Sequence, residues 1–181
     1  SDGYLDGTLD VMRNVDLDKA RQILSDAFRP ARRTSVNTFL IHSKGRIAIV
    51  DTGSGNYMQP TAGFVQRNLA LAGIDPKSVD IVLMSHLHPD HTNGIKAADG
   101  SLAFPNAEIM VPAQDWAFWT SEENAAKFES NQMMKNYFAN VKRVYTGIPA
   151  DRVTKYEWGK EVAPGITAMD TSGHTPGHTS L

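Results

Sequence analysis

Three histidines fall within six residues in His86-Leu87-His88-Pro89-Asp90-His91, and imidazole with carboxylate at this spacing is a ligand set for cations. Residues two apart point the same way along extended backbone but ~200° apart around a helix, so His86 and His88 converge only where the chain stays extended. Pro89 keeps His88 extended. Asp90 and His91 then turn the other way, at the start of a helix, where they can serve a second ion. A second cluster, Gly173-His174-Thr175-Pro176-Gly177-His178, has glycines that permit a tight loop presenting His174. His178 reads as ligand support or loop packing rather than as a ligand, and His42, after an apolar strand, as a surface or edge residue. With 0 cysteines there is no thiolate, and the donors suit Zn²⁺, with Mn²⁺, Co²⁺ or Fe²⁺ as alternatives. Two ions ~3.5–4 Å apart share a hydroxide, because water's pKa falls from about 15.7 toward ~7, and that hydroxide attacks while the ions polarise the target bond.

Buried strands must deliver these groups. Val79 to Met84 is a short apolar run that ends at Ser85-His86. Val36–Ile41 and Ile47–Val50, joined at Ser43-Lys44-Gly45, predict a hairpin whose second strand is buried on both faces. Asp16 caps a short helix with Leu17, Ala20, Ile23, Leu24, Ala27 and Phe28 on one face. A second helix is predicted from Pro60 to Ala72, closed by Gly73 and Pro76. Ala107–Val111 is a further strand. Thr120 and Glu123 form a capping box for a helical stretch that turns Phe128, Met134, Tyr137, Phe138 and Val141 inward. Val153–Thr171, broken by Gly159, Pro164 and Gly165, reads as antiparallel strands. The sum is an α/β mixture of layered sheet and helix.

Composition narrows the function. The chain has 181 residues, fitting one domain, with 41% hydrophobic and 21% charged residues, as in a folded globular protein. With 18 Lys and Arg against 20 Asp and Glu, it carries no basic footprint for nucleic acid. Its mean hydropathy of -0.34 goes with no membrane-length apolar window. A cysteine-free chain leaves the compartment open between cytoplasm and periplasm.

Ser85-His86-Leu87-His88-Pro89-Asp90-His91, with Val50-Asp51-Thr52-Gly53 and Gly173-His174-Thr175-Pro176-Gly177-His178, resembles the metallo-β-lactamase superfamily from about Thr34 onward. Within it, Thr34–Leu40 and Ala103–Ala107 are similar to methyl parathion hydrolase and its quorum-quenching lactonase relatives. The resemblance implies an αββα sandwich with the site at the edge between two sheets. It implies that His86, His88 and His174 hold one Zn²⁺ and that Asp90 and His91 serve a second and take part in catalysis. Asp51 would orient the histidines, although Asp-x-Gly also suits a plain turn. Trp119, Phe118, Tyr57 and Met58 would line an apolar substrate pocket, and the same aromatics equally suit a core.

The family also supplies a bridging Asp and a further His beyond the His174 loop. The expectation is therefore one partial domain over 1–181, cut at both ends, with C-terminal strands and helices outside it and an open sheet edge that leaves room for a homodimer. The implied function is metal-dependent hydrolysis of an ester-like bond in a small apolar molecule, a phosphotriester or a lactone. Thioesterase and β-lactamase activities rank lower, and a non-catalytic metal-binding module is the alternative. Flavodiiron proteins share the fold but place Glu where His88 stands, which argues against redox chemistry.

Overall fold

Asp16 caps its helix as its position asks: in the computed structural model, which describes residues 1–181, its carboxylate accepts the N–H groups of Asp18 and Lys19. That helix, α1 (Leu17–Asp26), lies in an excursion between strands β1 (Gly3–Gly7) and β2 (Arg32–Val36), which pair antiparallel. The expected apolar face is covered only in part: Leu17, Ala20 and Leu24 are half-buried, α1 has no fully buried residue, and Phe28 is 94% exposed. β3 (Phe39–Ser43) and β4 (Arg46–Val50) form the expected hairpin. Its two-residue turn uses Lys44 at φ 50° and Gly45 at φ 76°, the twist that matches paired strands. Val36 belongs to β2 instead of opening this hairpin.

Helix α2 (Val65–Leu71) begins later than Pro60 suggests. The buried Asp2 carboxylate takes the N–H groups of Ser54, Gly63 and Val65, holding the preceding segment in a turn until the helix can start. The predicted end holds: Gly73 at φ 73° donates to Ala70 and Ile74 donates to Leu69, a left-handed cap. β5 (Ile81–Leu83), the one-turn helix α3 (Pro89–Thr92) and β6 (Glu108–Pro112) follow.

The single helical stretch expected after Thr120 is two helices, α5 (Glu122–Lys127) and α6 (Gln132–Tyr145), and a further helix, α4 (Ala113–Trp119), precedes it. Ser121, rather than Thr120, caps α5, and Asn131 restarts the chain into α6. Because these helices carry the chain back across the sheet, β7 (Val153–Tyr156) lies parallel to β6, not antiparallel as expected. The antiparallel reading holds for β8 (Glu161–Ala163) with β9 (Ile166–Thr167), while β10 (Met169–Asp170) pairs antiparallel with β11 (Thr179–Ser180), a strand past the stretch that reading covered.

The main sheet has the order β3-β4-β5-β6-β7, and only β3–β4 is antiparallel. Side chains alternate across it. Ile49, Val82, Ile109 and Val111 meet Val65, Leu69, Trp119, Phe138 and Val141 of the helices. Ala48, Ile81 and Leu83 meet Tyr156, Val162, Ala163 and Ile166 on the other face. Helices, main sheet and short strands thus form the mixed α/β layering expected. The carboxyl ends of β4, β5 and β6 open at one edge, the usual place for a site in a parallel sheet.

Candidate metal centre

Asp51 leaves β4 at φ 57°, a left-handed conformation rare for a non-glycine residue. Its N–H donates to the Leu83 carbonyl at 2.8 Å, and its carboxylate accepts the Ser85 N–H at 2.8 Å and the Ser85 hydroxyl at 2.7 Å. The same Oδ2 stands 2.7 Å from His91 Nδ1. Since a carboxylate only accepts, Nδ1 of His91 carries the proton. The Ser85 hydroxyl proton goes to Asp51, so at 3.0 Å the Ser85 oxygen accepts from His86 Nδ1. That fixes His86 with a bare Nε2, and this atom is sealed from water with no hydrogen-bond partner.

The rest of the first loop is equally constrained. The Tyr156 hydroxyl donates to the Met84 carbonyl at 2.6 Å. His88 is extended at ψ 156° before Pro89 opens α3, as the sequence requires. The Thr52 N–H and hydroxyl both donate to the His91 carbonyl, at 2.8 and 2.7 Å. A Cβ at Gly94 would lie 1.9 Å from the Thr52 carbonyl oxygen, so only glycine lets α3 approach the Asp51 turn. His86 and His88 are buried and His91 half-buried.

His174 arrives from the loop between β10 and β11 and is exposed. Its Nε2 lies 3.1 Å from His88 Nδ1, and ring nitrogens of His86, His88 and His174 all lie within 4.8 Å of one another. Two ligands on one tetrahedral Zn²⁺ at ~2.05 Å stand ~3.3 Å apart, so the His88–His174 separation fits a shared cation. Burial, with the neighbouring imidazoles, pushes the pKa of His86 far down, and burial with His174 pulls His88 to about 4. His174 is lowered also, by burial and then His178. Neutral imidazoles with lone pairs turned inward are what a cation needs.

His91 stands differently. Burial opposes its charge, but hydrogen bonds to Asp51 and Asp90 overcome that and raise its pKa to about 10. Asp90 Oδ2 lies 3.5 Å from His91 Nε2, and the His86 and His91 ring centres are 4.0 Å apart. His178 faces His86 at 4.9 Å between ring centres, and its Nδ1 lies 2.8 Å from the Thr171 hydroxyl.

A cavity of about 500 Å³ opens on His88, Asp90 and His174, and Phe118, Trp119 and Met58 line its apolar side. Tyr57 is not in this lining and lies instead under the Arg143 guanidinium, 3.8 Å from its ring centre. Trp119 serves both readings, since it is 4% exposed, packs on Phe138, and lies 5.5 Å from the His88 ring. Sequence reasoning treated Tyr137 only as a core residue. It lines the cavity too, with its ring 4.5 Å from His88, and burial followed by Asp90 raises its pKa. Ser85 opens the recognised motif but was given no role, and Asp115 was missed altogether, its partners lying 28 and 62 residues away.

The metallo-beta-lactamase superfamily model matches residues 31–181. An N-acyl homoserine lactonase of Bacillus sp is 31% identical over 113 residues, 62% of this chain and 36% of that protein. Among solved structures, the hydrolase AbOPH of the beta lactamase superfamily superposes with a TM-score of 0.88 at 29% identity, over 98% of this chain and 62% of that one. AidC, a dizinc quorum-quenching lactonase bound to N-hexanoyl-L-homoserine product, gives 0.78 at 25% identity, over 98% and 63%. The chain thus spans about a third of the length of the curated lactonases it matches, and under two thirds of these solved chains.

Proposed function

The chain belongs to the metallo-beta-lactamase superfamily, and from that premise we propose that it acts as a metal-dependent hydrolase on an ester-like bond of a small, apolar molecule, a lactone first and a phosphotriester second. The observation that carries this reading is the convergence of His86, His88 and His174 nitrogens within 4.8 Å, with the bare Nε2 of His86 among them, beside an apolar cavity. The lactone preference draws on the relatives, which are named N-acyl homoserine lactonases.

His86, His88 and His174 are the ligands of one cation, and Asp90 with His91 serves a second. When bound, such cations supply Lewis acidity at the scissile bond and a nucleophile drawn from water at neutral pH. The protein's part is placement. Ser85 fixes the tautomer of His86, and Asp51 fixes that of His91. Phe118, Trp119 and Met58 exclude water and receive the apolar arm of the substrate. Zn²⁺ suits the three imidazoles best, with Mn²⁺, Co²⁺ and Fe²⁺ as competitors.

The test is turnover of acyl homoserine lactones, aryl esters and paraoxon-type triesters after loading with Zn²⁺, Mn²⁺ or Co²⁺. Lactone hydrolysis that disappears in His88→Ala supports the reading. A metal-loaded protein that turns over none of the three classes overturns it.

A further inference from the structure

Asp115 is fully buried, yet its carboxylate is spent on two backbone N–H groups that belong to different loops. Oδ2 accepts from Leu87 at 2.8 Å and Oδ1 from Gly177 at 2.8 Å. Leu87 stands between His86 and His88, and Gly177 immediately precedes His178, three positions after His174. Asp115 lies in the first turn of α4, just past the carboxyl end of β6, so it reaches the end of neighbouring β5 directly.

We propose that Asp115 is a positioning residue of the metal centre, locking the His86–His88 turn and the His174–His178 loop at the separation a shared cation requires. This rests on the reading of His86, His88 and His174 as ligands.

Two features support it beyond the hydrogen bonds themselves. A carboxylate is costly to bury, and the cost falls only when its oxygens find donors. Here each oxygen has one, and bonds to a charged acceptor are short and strong. An amide could not replace it, because the NH₂ end of Asn would face one of the two N–H groups. The contact is also unusually close. A Cβ on Gly177 would lie 2.2 Å from the Asp115 nitrogen and 2.8 Å from its Cα, so only glycine lets the second loop seat on α4. Both partners of this clasp are thereby specified: a carboxylate on one side and a bare Cα on the other. The side chain of Leu87 is itself fully buried, so the clasp is anchored in the core and not in solvent.

The experiment compares Asp115→Asn with the unaltered full chain. Zn²⁺ affinity is measured by chelator competition, the visible spectrum of the Co²⁺-loaded protein reports ligand geometry, and the melting temperature is taken without metal. The expectation is a ~10–100-fold loss of Zn²⁺ affinity and an altered Co²⁺ spectrum in a chain that still folds. Wild-type affinity and spectrum, with or without a lower melting temperature, overturn the proposal, since a purely structural residue would move the melting temperature alone. If Asp115→Asn does not fold, Gly177→Ala strains the same clasp from the other loop and is read identically. An unaltered chain that binds no Zn²⁺ or Co²⁺ overturns the metal-centre reading and this inference with it. Metal binding that is intact and indifferent to both variants overturns this inference alone.

Discussion

The loop of His86–His91 and the loop of Gly173–His178 bring imidazoles to one point by opposite constructions. The first is threaded through the core: Asp51, Ser85, Thr52 and Asp115 all bond to it, and His86 is only 2% exposed. The second is tied mainly at its far end, by Thr179 N–H to the Ser85 carbonyl and by Gly177 N–H to Asp115, while His174 itself remains exposed. One side of the centre is part of the fold. The other is laid against it, which would suit the proposed hydrolase, whose open face would admit substrate and release product.

Ligand deletions on the two sides should separate function from stability, and they carry the largest expected effect. His86→Ala and His174→Ala are both expected to lower kcat/KM by roughly 10³-fold or more, because under the proposed function each removes a ligand from the same cation. Their folding costs should differ. His86→Ala leaves a hole in the core and takes away the Nδ1–H that Ser85 Oγ accepts, costing about 1–3 kcal/mol. His174→Ala, at an exposed position, should stay within about 0.5 kcal/mol. Urea unfolding without metal, set beside kinetics with metal, checks the pair. Equal destabilisation by both would erase the distinction between the loops.

The same contrast explains what the sequence reveals. The first loop is legible because its imidazoles are neighbours in the chain and Pro89 dictates their geometry locally. Asp115 is illegible because its partners lie 28 and 62 residues away and nothing in its neighbourhood marks it. Asp2 escaped in the same way, and with it the late start of α2, since its grip on Gly63 and Val65 crosses 61 and 63 residues. The periodicity of α1 shows an apolar face but not what covers it, and here the structure only half-buries Leu17, Ala20 and Leu24 and leaves Ile23 and Phe28 exposed. β7 looked antiparallel because strand direction depends on the helices before it, not on its own residues.

Acidity should act on the two histidine environments with opposite sign. His88, pulled to about 4 by burial and then by His174, takes up its proton in the unfolded chain near 6.5 but not in the folded one. Its stabilising contribution is therefore full above pH ~6.5 and lost as pH falls toward ~4, roughly 3 kcal/mol in all. His91, raised to about 10, holds its proton longer when folded, so its contribution is full below ~6.5 and is lost as pH rises toward ~10. Metal-free protein should be most stable near pH 6–7, with a fall on each side. Melting curves in chelator from pH 4 to 10 test this, and His88→Gln should make the acid limb shallower, since His86 and His174 also contribute to it, while leaving the alkaline limb unchanged. A metal-free protein whose stability rises steadily from pH 7 to 9 would contradict the assignment of His91.

The smallest effects should come from the residues that merely aim the rings. Asp51 and the Thr171 hydroxyl do comparable work, each fixing one Nδ1, at 2.7 Å from His91 and 2.8 Å from His178. The buried partner is charged and also holds Ser85, whereas the exposed one is a neutral hydroxyl open to water. Asp51→Asn should therefore weaken the second cation's binding by ~10–100-fold. Thr171→Val should weaken metal binding less than ~5-fold, because water can replace an exposed hydroxyl at a net loss of ~1 kcal/mol or less. Zn²⁺ stoichiometry and affinity, measured for both variants under one buffer, decide the ordering. If Thr171→Val proved the more damaging, His178 would have to belong to the ligand set itself, and the loosely held loop would carry more of the centre than its exposure suggests.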